Sequence, residues 1–209
     1  DSLSYINSFT YSIGGNGVNT IQTDFLSDNI GPVIVALGSS ATVKSRDDDS
    51  NDEETISANE DNKGDIERLL TAGGNFYLDF ALPVYVNYKE ERVITYYSSL
   101  NSRFSTDIEG FGNNVETTGF NCSLGISNYI GLNSEKNNIN IFLYVNSNLH
   151  TGSKDFRDHL NIKSDVFFNT NLSFGLTFSK TYRLVCRTNF ASEPNLRTEK
   201  ITVGLQLIK

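Results

Sequence analysis

The chain has no tryptophan and only two cysteines. Nowhere in its 209 residues is there an apolar run approaching the length of a membrane-spanning helix. Such a helix needs about 20 consecutive apolar residues, so these residues make no case for a helical membrane protein. A β-barrel escapes that test, because half of each spanning strand can be polar. The two cysteines, Cys122 and Cys186, fit neither a disulfide framework nor a metal site. Both fall on the apolar side of the local pattern. They are expected as unpaired small residues on an outward apolar face, with a disulfide as the alternative if their strands meet. Positive charge is also short: 17 Lys and Arg against 25 Asp and Glu leave a net charge of −8. Nucleic acid is therefore not an expected partner, since phosphate binding needs basic patches. No secretory signal is seen, and the start at Asp1 is read as a processed N-terminus or as a start downstream of further chain. The length suits one domain or one barrel.

What is present is a rhythm of two. In 201–207, Ile201, Val203, Leu205 and Leu207 alternate with Thr202, Gly204 and Gln206. Successive side chains of a strand point to opposite faces, so one face is apolar and the other small and polar. The same alternation puts Val33, Val35, Leu37 and Val43 against Ile34, Ala36, Gly38, Ser40 and Thr42. It recurs over 70–88, 92–105, 120–130, 139–149, 166–178 and 182–190. In 70–88 the odd positions Tyr77, Asp79, Ala81, Tyr85 and Asn87 are expected on one face, and Pro83 hints at a bulge because it lacks a ladder donor. The fold expected is all-β, an antiparallel up-and-down barrel of eight strands over 33–209. Residues 1–32 form either an N-terminal arm or an extra hairpin, which makes the count ten. The stretch 18–25 is only weakly patterned.

Links between these runs alternate in length. Those near 89–91, 133–138 and 179–181 are short; those over 46–67, 106–115, 151–161 and 191–200 are long. Short turns on one side and long loops on the other characterise transmembrane barrels. Soluble sandwiches also alternate, but their wet faces carry more Lys and Glu as protection against aggregation. Here the polar parity is mostly Ser, Thr, Gly and Asn. Aromatics also gather near the ends of the runs, Tyr88, Tyr129, Phe178 and Tyr182 by short turns and Phe104, Phe120, Phe168 and Phe190 by long loops. They are expected to form two interfacial girdles. The pattern resembles the small outer-membrane barrels of Gram-negative bacteria, of the OmpA transmembrane-domain and OmpX type. The resemblance spans 33–209 as alternation and loop lengths, without a specific motif. It implies an outer-membrane location and assembly by the barrel-insertion machinery. Many members end in an aromatic residue, whereas this chain ends Leu207-Ile208-Lys209.

An eight- or ten-stranded barrel has an interior that side chains can fill. Asp79, Arg103, Lys163, Asp165, Arg183 and Arg187 fall on the inward parity and are expected as a paired interior network. Inward Tyr77, Tyr85, Tyr97, Phe142 and Tyr144 add bulk. The residues Asp47, Asp48, Asp49, Asp52, Glu53 and Glu54 form an acidic outer loop without the spacing of a calcium-binding loop. A solvated loop is the expectation, with weak cation or basic-partner binding as the alternative. His159, with Ser153, Asp155 and Asp158, offers a weak hydrolase constellation. The function expected is a non-catalytic outer-membrane barrel with a plugged interior, structural or an accessory subunit of an envelope complex. It would take no cofactor or metal and have membrane lipid and other envelope proteins as partners. Three alternatives are a narrow pore, a rim-site hydrolase and a soluble β-sandwich binding module.

Overall fold

Among the residues described by the computed structural model (9–13, 18–44, 75–87, 93–108, 119–134, 139–179, 181–196 and 201–207), ten antiparallel strands close into a barrel. They are β1 (Phe9–Ile13), β2 (Val18–Ile30), β3 (Val33–Lys44), β4 (Phe76–Asn87), β5 (Ile94–Thr106), β6 (Phe120–Asn133), β7 (Ile139–Gly152), β8 (Val166–Phe178), β9 (Tyr182–Ala191) and β10 (Thr202–Leu207). A short helix, α1 (Lys154–His159), and a 3-10 turn, Pro194–Leu196, lie in two of the links. Each strand pairs with its neighbours in sequence. The barrel closes through β1 and β10, with Phe9 opposite Leu207 and Ile13 opposite Val203.

Residues 9–13 and 18–30 thus contribute two further strands, and the count among the described residues is ten. Residues 31–32 are the turn of the β2–β3 hairpin, where Gly31 takes φ 61°, a conformation that costs a residue with a Cβ. The strand ends flanking 31–32, 88–93, 134–138 and 179–181 lie at one end of the barrel, and those flanking 45–75, 107–119, 153–165 and 192–201 at the other. β1 ends and β2 begins on this second side as well, with four residues between them, which breaks the length rule.

The wall is apolar outside and polar inside. On β6, Leu124 is 63% exposed, while Asn121 and Ser127 are 1% exposed. Gln206 on β10 is fully buried. Among the described strand residues, Asp28 near the β2–β3 turn is the one charge on the outward parity. Phe104, Phe120, Phe168 and Phe190 are exposed near the loop end, and Phe178 and Tyr182 near the turn end. Tyr88 lies outside the described residues.

Two bulges explain where the alternation misleads. In β2 the register shifts between Asp24 and Leu26, so inward Thr20, Gln22 and Asp24 are followed by inward Ser27 and Asn29. An extra residue moves every later side chain to the other face, and the run therefore looks unpatterned. In β4 the shift falls between Pro83 and Tyr85. Tyr85 is consequently outward, 54% exposed, with its ring 5.7 Å from that of Tyr96. It does not fill the interior as the parity count expects. Tyr129 errs the other way: it faces in, opposite Tyr97 and Tyr144, and is no girdle residue.

Candidate functional site in the barrel interior

One cluster joins β2, β4 and β5. Asp79 and Arg103 are register partners, and the guanidinium grips the carboxylate with two bonds, Nε to Oδ1 at 2.5 Å and Nη2 to Oδ2 at 2.6 Å. Such a fork satisfies both charges where water is scarce. The guanidinium also lies 4.6 Å from the centre of the Tyr77 ring. The Tyr77 hydroxyl donates to Asp24 Oδ1 at 2.5 Å and accepts from Gln22 Nε2 at 3.0 Å. The fully buried Tyr77 ring covers Gly38 on β3, where a Cβ would collide with the hydroxyl.

A second cluster fills the turn-end half of β5 to β9. Tyr129 stacks on Phe142 at 5.8 Å with planes 11° apart, and Tyr97 lies 6.0 Å from Tyr129. Phe142 has room because Gly131 and Gly175 flank it in register. Arg183, 6% exposed, holds its guanidinium 4.7 Å from the Phe142 ring and donates from Nε to Thr177 Oγ1 at 3.1 Å. Arg187 faces inward between Ser173 and Thr202 and is half-buried. Between the two clusters runs an uncharged mesh. Ser99 donates to Asn101 Oδ1 at 2.8 Å, and Asn101 Nδ2 donates to Ser127 Oγ at 2.6 Å and Asn146 Oδ1 at 3.3 Å.

A cap covers part of the loop end. Phe156, Leu160 and Ile162, together with Leu196, bury themselves against inward Phe167 and Ala191. Asn189 Nδ2 ties the 3-10 turn down through the Leu196 carbonyl at 2.6 Å. Ser153 starts α1, its Oγ accepting from the Phe156 amide at 3.3 Å and the Phe120 amide at 3.2 Å.

Of the six residues expected as a paired interior network, Asp79 and Arg103 pair with each other, while Arg183 and Arg187 face inward on β9, apart from that pair. Lys163 and Asp165 do not belong to the interior. They precede β8, in the link, and are exposed, with Asp165 pairing with Arg157. The inward parity of β8 does not extend to them, because the strand starts at Val166. Asp24 and Gln22 are interior residues that precede the β2 bulge, and polar Asn19 and Thr23 on the outward parity are what leave that stretch weakly patterned. His150 is buried and inward, on the same parity as Asn148. The acidic residues Asp47, Asp48, Asp49, Asp52, Glu53 and Glu54 lie outside the described residues, as does the side chain of His159. Asp155 and Asp158 are exposed, and the Ser153 oxygen serves as a helix cap. Cys122 and Cys186 face outward as free thiols. No group of three or more potential metal ligands occurs among the described residues. No protein-family model matches the chain, and neither a curated protein nor a solved structure matches it.

Proposed function

We propose that this chain is a bacterial outer-membrane β-barrel whose interior is closed by its own side chains, serving as a structural or accessory subunit of the envelope without catalysis. The observation that carries this reading is the inverted wall. Leu124, Ile126, Ile141, Leu149, Leu184 and Leu205 are 43–63% exposed, while inward asparagines and serines such as Asn121, Asn169, Ser99 and Ser127 are buried. Exposed apolar side chains on this scale are costly in water and favourable in lipid. A closed barrel also leaves no unpaired backbone edge for hydrocarbon to meet. The two interior clusters and the mesh between them favour a plug over a pore. Reconstitution into planar bilayers tests this part: the wild type is expected to insert without steady conductance. A stable ohmic channel sensitive to Arg183→Ala would favour the narrow-pore reading instead.

A further inference from the structure

A carboxamide interrupts the apolar wall well inside its height. Asn128 stands on the outward parity of β6, between Ile126 and Ile130, with Ser98 of β5 and Val145 of β7 as its register partners. The other outward amides among the described strand residues, Asn19 and Asn87, lie at strand ends. Asn128 is half-buried, and its Oδ1 accepts from the Tyr96 hydroxyl at 2.9 Å. Its Nδ2 has no acceptor among the described residues, and the Ser98 hydroxyl beside it has no partner there either. Elsewhere on the wall Ser147 and Thr170 also face outward, but they close on each other at 3.0 Å. An amide N–H left facing hydrocarbon is strongly unfavourable, because lipid tails offer no acceptor.

We propose that the β5–β6 face is a dimer interface, where two copies of this chain meet across a two-fold axis along the membrane normal. The inference rests on the membrane reading, since only in lipid must the acceptor for Asn128 come from protein. A second copy supplies it at the right place. Two barrels inserted in the same direction and related by such an axis meet at equal depth, so Asn128 faces the Ser98–Asn128 pair of its mate. A carboxamide and a hydroxyl each donate and accept. The pair is therefore self-complementary: each Nδ2 donates to the mate's Asn128 Oδ1 or Ser98 Oγ, and the bond is made twice. Tyr96 aims the amide, with its hydroxyl on Oδ1 and its ring 5.7 Å from that of Tyr85. Ser98 is small and lets the two walls come close, as small residues do between membrane helices. The face is also neutral, because the one outward charge among the described strand residues, Asp28, is on β2, so doubling the face sets no like charges together. The remaining contacts are apolar and lipid covers them equally well. The amide thus fixes partner and register.

Cysteine cross-linking of the full chain in isolated membranes tests it. Cys122 and Cys186 are first replaced by serine. Ser98→Cys is then treated with a short bismaleimide, and Leu184→Cys, outward on β9, is the control. Ser98→Cys is expected to give a product of twice the chain mass, and Leu184→Cys to stay monomeric. Adding Asn128→Leu, a side chain that suits lipid, is expected to lower the Ser98→Cys product by about tenfold. Heat-modifiable migration reports that each variant is folded, and the comparison of the two cysteine positions decides even if Asn128→Leu does not fold. The dimer is overturned if the folded Ser98→Cys chain gives no product, or one with a different protein. Equal products from the two positions, or a product that folded Asn128→Leu leaves undiminished, overturn it as well. The membrane reading is scored apart, by whether the same preparation needs detergent. A monomer that needs detergent sinks the dimer alone, whereas recovery in plain buffer sinks both.

Discussion

Asp79 and Arg103 illustrate what a single interior residue contributes. Neither ion is well solvated, and each is tolerable because the other supplies a two-bond partner. Removing one partner leaves a stranded charge. Arg103→Ala is expected to destabilise the barrel by about 3–5 kcal/mol, whereas Asp79→Leu with Arg103→Met lies much closer to wild type. Urea unfolding of the detergent-folded protein checks this, and equal losses in the single and double variants would contradict it. Gly38 makes the complementary point. Its hydrogen is what lets Tyr77 lie flat and reach Asp24 and Gln22. Gly38→Ala is expected to cost about 1–3 kcal/mol by overpacking, read in the same assay, and a Tyr77→Leu background is expected to recover part of that loss.

At the scale of elements, legibility followed whether the period of two ran unbroken. In β3 and β5 to β10 it does, so Arg103, Arg183 and Arg187 could be placed inward from the sequence alone. In β2 outward Asn19 and Thr23 already blur the pattern around inward Gln22 and Asp24, and one added residue at Phe25 then reverses the parity. In β4 Pro83 announced the bulge, but its consequence for Tyr85 needed the register. The cap could not have been read, because its apolar residues lie in a link and acquire their partners only when β8 and β9 meet. Ser153, which looked like a candidate nucleophile, is the cap of α1. Ser153→Ala is expected to weaken α1 by about 1 kcal/mol and to raise exchange across 153–162 while the strands stay protected. Unchanged exchange there would remove the capping role.

At the scale of the molecule, the described strands wrap a polar interior in an apolar wall and pair all the way round. That inversion is the basis for placing it in a membrane, and a soluble barrel is the clear rival. The two differ in what the outer wall touches and in whether the closed sheet survives cold detergent. The most direct test is gel migration, before and after heating, of protein extracted from cell membranes, together with its extraction profile. The account predicts extraction only with detergent and a different mobility when unheated, since a barrel closed by backbone hydrogen bonds stays folded in the cold. Full recovery in plain buffer, with no change in mobility on heating, would contradict it and return the wall's leucines and phenylalanines to a buried protein contact.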